Sequence, residues 1–291
     1  MPFLQLDHVN LHYEHQGAGD IPIIFLHGNF GSWHYWQPYL QNLPEGYCGY
    51  APDFRGCGDS EATNTGYDIK TLSNDILTFA NELQIEKFHL VGHSLGGAVA
   101  QELAGNAPER IITLTLVAPA PAEGLVSLAK VNVSDSFFSA KNIFQFIGKI
   151  GIKKKLLTAS FKKSMPGLIN QSAYLKIIIG DAIKMDIKAF EGFLTTLKNW
   201  NGNHLLSKFS FPVLIMHGEL DSVIPLQPLL NMQQKITDCR FHTFRNIGHT
   251  PQLEHPKAFN KLLTAFIHGH DVEAITGKQL QPPLGLFNKL K

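Results

Sequence analysis

Short runs of apolar residues alternate with amphipathic stretches along most of this chain of 291 residues. Six short runs have apolar residues on both faces, which is typical of strands that are buried on both faces of a parallel sheet. They cover residues 21–27, 46–53, 87–93, 112–119, 211–218 and 239–244. Helical spacing of apolar residues appears at 68–83, 96–109 and 256–269. This alternation predicts an α/β fold with a doubly wound, mostly parallel sheet.

Two segments depart from the alternation. Residues 4–15 repeat with a period of two, which predicts an antiparallel hairpin at the edge of the sheet. Residues 121–210 contain helical apolar pieces and no convincing strand. We therefore predict a helical insertion after the strand at 112–119, which is the sixth strand when the two strands of the hairpin are counted. The expected organisation is a core of residues 1–120 and 211–270, the insertion at 121–210, and a C-terminal tail at 271–291.

Composition narrows the class of protein. Hydrophobic residues make up 44% of the chain and charged residues 17%, as in ordinary globular proteins. A net charge of +1 gives no indication of a nucleic-acid partner. Three scattered cysteines favour a reducing, cytoplasmic environment over a disulfide framework or a zinc site. We expect neither a secretion signal nor a transmembrane segment, and the sequence does not indicate an oligomeric state.

The charge is distributed unevenly. Residues 121–210 contain thirteen lysines, no arginine and five acidic residues, a net charge of +8, which leaves −7 for the rest of the chain. One interpretation is a solvated, lysine-rich surface. The other is a basic lid that attracts anionic substrates or lipid headgroups. We also expect the insertion's large apolar side chains, including Phe144 and Phe146, to line an acyl pocket.

Residues 91–97, VGHSLGG, end an apolar run with a serine between two glycines. A tight turn from strand to helix exposes a serine hydroxyl at the cost of backbone strain. Side chains two residues away on either side would then collide with the strand and the helix, and glycine at 92 and 96 avoids this. The pattern predicts that Ser94 is a nucleophile, with a helix beginning at Leu95.

A serine nucleophile requires a base, since its hydroxyl is scarcely ionised at neutral pH. His249 lies in a loop before the last helix, and Asp221 lies just after a predicted strand. The order serine, aspartate, histidine and their places at the carboxyl ends of strands predict a triad. Glu219 and Glu123 are the alternative acids.

Residues 25–33, FLHGNFGSW, follow the first parallel strand. A turn at Gly28 would direct backbone N–H groups towards Ser94. We predict that the N–H groups of Asn29 and Leu95 form an oxyanion hole. Phe30 is the alternative donor and a candidate substrate-binding residue, because one residue of register cannot be determined from sequence.

Five motifs together resemble the α/β-hydrolase superfamily, specifically its cap-bearing, esterase-like members. They are HGNFGSW, APDFRGCGDS, VGHSLGG, GELDSVIP and GHTPQLEHP, and the resemblance runs from about residue 20 to residue 269. It implies a Ser94–His249–Asp221 triad, no cofactor, and a helical cap over the site. Asp53 and Arg55 are expected to brace the loop beside the site, and Cys57 to fill space.

We therefore expect a serine hydrolase, a carboxylesterase that acts on a small-molecule ester. Alternatives that use the same triad are a carbon–carbon bond hydrolase and a perhydrolase. A ligand receptor or signalling protein without catalytic activity is the alternative from another class. Aspartate-dependent epoxide and dehalogenation chemistry is disfavoured by serine at position 94.

Overall fold

Eight strands form one sheet in the computed structural model, which describes residues 2–125, 152–170 and 172–272. The strands are β1 (Phe3–Gln5), β2 (Asn10–Gln16), β3 (Ile21–Leu26), β4 (Tyr47–Pro52), β5 (Phe88–His93), β6 (Ile111–Val117), β7 (Val213–Gly218) and β8 (Cys239–Phe244). Their order in the sheet is β1-β2-β4-β3-β5-β6-β7-β8. The first two strands are antiparallel to their neighbours and the others are parallel, as the sequence predicts.

Helices cover both faces of the sheet. In the described residues they are α1 (Gln37–Leu40), α2 (Ile69–Glu82), α3 (Leu95–Asn106), α4 (Ile152–Ser164), α5 (Ser172–Lys184), α6 (Ile187–Asn199), α7 (Leu226–Lys235), α8 (Pro251–Glu254) and α9 (Pro256–Ile267). A 3₁₀ helix at Trp33–Trp36 precedes α1. Within residues 2–125, 152–170 and 172–272, no helix combines the length and the apolar character that crossing a bilayer requires.

Two apolar cores lie on opposite faces of the sheet, because side chains alternate along a strand. Ile24 and Leu26 of β3 belong to the core that contains α2 and α3. Ile23 and Phe25 of the same strand belong to the core that contains α9. Consecutive residues of β3 are therefore buried, which explains why this strand is apolar at consecutive positions.

The helical insertion after the sixth strand is confirmed. Between β6 and β7 the described residues form α4, α5, α6 and short 3₁₀ segments. Residues 121–210 are called the cap below; Phe144 and Phe146 lie outside the described residues, as do residues 273–291 of the expected tail. Helices α4 and α5 pack on one core and α6 on the other, so the cap contacts both faces of the fold.

The carboxyl ends of the parallel strands all lie at one edge of the sheet. Gly28 follows β3 and Ser94 follows its neighbour β5, while Asp221 follows β7 and His249 follows its neighbour β8. In open α/β sheets this edge is where reactive groups gather. The fold thus brings together residues that are far apart in the sequence.

Candidate active site

Ser94 occupies the turn between β5 and α3. Its backbone has φ 53° and ψ −115°, a conformation that a residue with a side chain rarely adopts. The Ser94 N–H donates to the Val117 carbonyl oxygen at 3.1 Å, and the Ser94 carbonyl accepts from Ala120 N–H at 2.9 Å. These contacts with the end of β6 hold the strained turn in place. The predicted start of the helix at Leu95 is confirmed.

The glycines on either side of Ser94 allow close approaches of the backbone. A Cβ atom at position 96 would lie 2.5 Å from the carbonyl oxygens of Leu26 and His27. A Cβ atom at position 92 would collide with the carbonyl group of Gly96. The collisions predicted from the sequence are therefore real, and each involves backbone that cannot move aside.

His249 and Asp221 form a hydrogen-bonded pair. His249 Nδ1 lies 2.8 Å from Asp221 Oδ2, and the Asp221 side chain is fully buried. Because a carboxylate only accepts hydrogen bonds, Nδ1 carries a proton, and in the neutral imidazole Nε2 is the nitrogen that accepts one. His249 and Ser94 line the same pocket, and Ser94 Oγ has no hydrogen-bond partner among the described residues.

Both oxygens of Asp221 are held by donors. Oδ1 accepts from the N–H groups of Val223 at 2.7 Å and Ile224 at 3.0 Å. Burial raises the pKa of Asp221, but the charge and hydrogen bond of His249 and the two backbone N–H groups outweigh it. The net result is a pKa below the usual value, so this carboxyl group is ionised at neutral pH.

The alternative acids lie elsewhere. Glu219 is exposed and accepts a hydrogen bond from Asn246 N–H at 3.0 Å. Glu123 is exposed near the start of the cap. Within the described parts of the chain, neither carboxylate forms a hydrogen bond to His249, so the geometry favours Asp221.

The turn after β3 faces Ser94. Gly31 N–H donates to the Gly28 carbonyl oxygen at 3.1 Å, which places Asn29 and Phe30 at the centre of a β-turn. A Cβ atom on Gly28 would lie 2.6 Å from His93 Nδ1 and 3.0 Å from Ser94 Cβ, so only glycine permits this approach. Phe30 has a positive φ of 63°, which is unusual for a residue with a side chain.

The backbone donors of this turn differ in availability. Phe30 N–H already donates to Asn29 Oδ1 at 3.0 Å. The N–H groups of Asn29 and Leu95 have no acceptor among the residues that the structure describes. This difference favours Asn29 over Phe30 as the partner of Leu95. The Phe30 ring lines the pocket and packs against Phe161 and Phe190 of the cap.

The buried carboxylate of Asp53 braces the loops around this turn. It accepts hydrogen bonds from Trp33 N–H at 2.7 Å, Asp59 N–H at 3.1 Å and His12 Nδ1 at 2.8 Å. It therefore ties the end of β4 to the segment that follows the turn at Gly28. The bracing role predicted for Asp53 is confirmed by these contacts.

The contacts of Arg55 and the burial of Cys57 indicate structural rather than catalytic roles. The Arg55 guanidinium forms two hydrogen bonds to the Asp75 carboxylate, at 2.7 and 2.8 Å. Cys57 is buried, and burial raises the pKa of its thiol well above the ordinary value. A thiol that stays protonated is a poor nucleophile, which agrees with the predicted space-filling role.

A mostly apolar pocket of about 360 Å³ adjoins Ser94. Its described lining comes from the turn after β3, the end of β5, the cap and the loops that carry Val223 and His249; the cap residues are Leu156, Leu157, Ser160, Phe161, Ser164 and Met165. The prediction that the cap lines the pocket is confirmed for these residues. No lysine, arginine, aspartate or glutamate is among the described residues of the lining.

Glu254 was not predicted as part of the site. Its buried carboxylate accepts hydrogen bonds from Gly248 N–H at 3.0 Å and Thr250 N–H at 2.9 Å, on either side of His249. It also accepts from Gly167 N–H of the cap at 2.9 Å. The only signal in the sequence is a glutamate five residues after His249 in GHTPQLEHP, which does not reveal its partners.

His93 is a second neighbour that sequence analysis missed. Its Nε2 donates to the His249 carbonyl oxygen at 2.9 Å, which leaves Nδ1 unprotonated. Burial lowers the pKa of His93 well below the ordinary value, and the charge of His249 lowers it further. His93 is therefore neutral, and it supports the loop of His249 through the backbone.

Comparison with known proteins adds an independent line of information. A family model described as alpha/beta hydrolase fold matches residues 21–256. The 2-hydroxy-6-oxononadienedioate/2-hydroxy-6-oxononatrienedioate hydrolase of Escherichia coli is 25% identical over 277 residues, 89% of this chain and 91% of that protein. The dihydrolipoyllysine-residue acetyltransferase component of the acetoin cleaving system of Cupriavidus necator is 25% identical over 267 residues, 92% of this chain and 69% of that protein.

Solved structures share the fold at lower identity. An esterase from Exiguobacterium antarcticum superimposes with a TM-score of 0.75 at 21% identity, covering 91% of this chain and 98% of that one. The enol-lactonase of Burkholderia xenovorans gives a TM-score of 0.76 at 20% identity, covering 92% and 100% of the two chains. At these identities the likeness concerns the fold alone.

Proposed function

Since the chain belongs to the α/β-hydrolase fold family, we propose that it is a serine hydrolase that cleaves carboxylic esters. The observation that carries this proposal is the contact of 2.8 Å between His249 Nδ1 and Asp221 Oδ2, beside a pocket that Ser94 also lines. Nucleophile, base and orienting acid are then supplied by residues 94, 249 and 221.

In the first half of the proposed reaction, Ser94 Oγ attacks the ester carbonyl carbon while His249 Nε2 accepts the hydroxyl proton. The N–H groups of Asn29 and Leu95 stabilise the oxyanion; a single donor of this kind lowers the barrier by about 3 kcal/mol. His249 then gives its proton to the departing alkoxide. Water repeats the sequence on the acyl enzyme, and the acid product leaves with Ser94 restored.

The composition of the pocket lining favours an uncharged substrate. The E. coli relative is named for a dioate, a substrate that carries two carboxylates. Binding a carboxylate in a pocket usually requires a cationic partner. Because no lysine or arginine is found among the described lining residues, we favour an ester with an apolar acyl group over such a diacid.

Labelling with a fluorophosphonate tests the proposed nucleophile. We expect one modified residue, Ser94, and loss of labelling in the His249→Ala variant because the base is removed. Mass spectrometry of the labelled protein identifies the site. Label on Ser160 or Ser164, the other serines that line the pocket, would contradict the assignment.

Turnover distinguishes the ester hydrolase from its alternatives. Nitrophenyl esters from acetate to palmitate should be cleaved, with Ser94→Ala as the inactive control. On the acid side, kcat/KM should fall with a slope of one proton, because the base must be neutral. A protein that binds these esters without turnover would be a receptor. Cleavage of a carbon–carbon bond in a diketone, without cleavage of any ester, would indicate a carbon–carbon bond hydrolase.

A further inference from the structure

Helix α4 of the cap presents positive charge without compensation. It contains five lysines and no acidic residue. The four lysines with described side chains are exposed: Lys154, Lys155, Lys162 and Lys163. Among the described residues, none of these four ammonium groups has an ion pair or a hydrogen bond. Lys184 of α5, in contrast, lies 2.7 Å from an Asp59 oxygen of the core.

The remaining parts of the chain contain little negative charge. Residues 126–151 contain three lysines and one aspartate, and residues 273–291 contain three lysines and one glutamate. Each segment therefore has a net charge of +2. These segments add more positive charge than negative charge, and an anionic partner from outside the molecule would compensate for the lysines of α4.

Apolar side chains surround the mouth of the pocket next to this helix. Leu156 is 51% exposed and Val223 is 43% exposed, and both line the pocket. Leu220, on the same loop as Val223, is 49% exposed. Exposed apolar side chains that are grouped at a pocket mouth are consistent with a surface that contacts another apolar body.

The cationic and apolar features are continuous along α4. Leu156, Ser160 and Lys163 are spaced four and three residues apart, so they form one stripe on the helix. Leu156 and Ser160 line the pocket, and Lys163 extends the stripe away from them. An apolar mouth bordered by lysines is complementary to a surface that has anionic headgroups above hydrocarbon.

We propose that the docking face, defined as the outer side of α4 together with Leu156, Leu220 and Val223, binds an anionic phospholipid surface. The lysines contact the headgroups and the apolar side chains enter the interface, which brings the pocket mouth to esters dissolved in the lipid. Docking itself is independent of catalysis; delivery of the ester to Ser94 rests on the function proposed above.

Vesicle sedimentation tests the docking. The full chain carrying Ser94→Ala should bind vesicles that combine phosphatidylcholine with phosphatidylglycerol more strongly than pure phosphatidylcholine vesicles. The preference should weaken as salt is added. Each lysine near an anionic surface contributes about fivefold to partitioning. The pair Lys155→Gln and Lys163→Gln should therefore lower binding by about 25-fold.

A matched pair of substitutions controls for net charge. Lys257 and Lys261 are exposed on the core helix α9, and Lys257→Gln with Lys261→Gln removes the same two charges. This control pair should change vesicle binding by less than about twofold. Equal losses in the two pairs, or equal binding to neutral and anionic vesicles, would overturn the proposal.

Leu156→Ser separates a lipid surface from other polyanions. It keeps all lysines, so binding to duplex DNA or heparin should not change, whereas binding to anionic vesicles should fall several-fold. Unchanged vesicle binding would make the face a general polyanion surface and overturn the proposal. If vesicles bind but the wild-type enzyme cleaves no soluble ester, the proposed function fails while docking stands; turnover without vesicle binding gives the reverse result.

Discussion

The carboxylate of Asp221 is held at both oxygens before any substrate arrives. Val223 and Ile224 donate to one oxygen and His249 to the other. Backbone donors within three residues of the aspartate cannot move independently of it. The loop after β7 therefore fixes the orientation of the His249 imidazole through Asp221. A triad acid must orient the imidazole in this way.

Asp221→Asn tests this arrangement at the scale of one residue. The asparagine oxygen can replace Oδ1, but its NH₂ group would then face the N–H at His249 Nδ1, which favours the wrong tautomer. We expect kcat for a nitrophenyl ester to fall on the order of 10⁴-fold with the fold retained by circular dichroism. Asp238→Asn, at an exposed aspartate, is the control and should leave kcat unchanged.

Sequence predicts residue roles well where the constraint is local. The glycines around Ser94 follow from the turn itself, so the start of α3 could be predicted from VGHSLGG, and the proposed nucleophile from this motif together with those of Asp221 and His249. Glu254 could not be identified, because its partners are mainly backbone N–H groups, and one of them, that of Gly167, lies 87 residues earlier in the chain. A backbone N–H leaves no trace in the side-chain pattern from which a contact could be predicted.

At the scale of elements, the loop of His249 and the cap form one connected unit. His249 N–H donates to the Ser164 carbonyl oxygen at the end of α4, at 2.8 Å. Glu254 at the end of α8 accepts from both the loop and the cap. A Cβ atom on Gly248 would collide with Ser164 and Pro166, so these segments are in close contact.

Glu254→Gln tests this connection. A glutamine keeps one oxygen, while its NH₂ group would face N–H donors of Gly167, Gly248 or Thr250. We expect the free energy of unfolding to fall by about 2–3 kcal/mol, and kcat to fall because the loop of His249 loses support. Urea unfolding and ester hydrolysis measure the two effects.

The matched control for that variant is Glu219→Gln. Glu219 accepts one backbone N–H and is exposed, so its substitution should change stability by less than about 0.5 kcal/mol. Equal effects of the two substitutions on stability and on kcat would show that the buried carboxylate has no special role.

Element boundaries were predictable where burial imposes a period. The six parallel strands start and end within two residues of the predicted runs, because each strand buries apolar residues on both faces. Helix α7 was not predicted because its pattern is short: half of LQPLLNMQQK is polar, and only Leu229 and Met232 are buried. Isolated helices of this length are marginal in water, so packing on β7 and β8 stabilises this one.

On the scale of the whole molecule, buried histidines make stability depend on pH. Burial lowers the pKa of five of them: His27, His89, His93, His217 and His242. For His89 and His242 the pKa falls to about 4. An unfolded chain binds these protons near pH 6.5, whereas the folded chain does so only at lower pH. Their contribution to the free energy of unfolding is therefore present above about pH 6.5 and is lost as the pH falls towards 4.

Guanidinium unfolding at a series of pH values measures this loss. Each histidine should contribute up to about 1.4 kcal/mol per pH unit between its unfolded and folded pKa. In the His89→Gln variant, the slope of the free energy of unfolding against pH should decrease by the contribution of one proton. His204→Gln, at an exposed position, should not change the slope. A stability that is constant between pH 7 and 5 would contradict the expectation.

The strained backbone of Ser94 sets a limit on how this protein can be improved. Glycine adopts φ 53° and ψ −115° without the steric cost that serine pays there, about 1–3 kcal/mol. A library screened only for thermal resistance would consequently enrich glycine at position 94 and discard the proposed nucleophile. Selection for thermal stability therefore favours glycine at position 94, whereas selection for hydrolase activity favours serine.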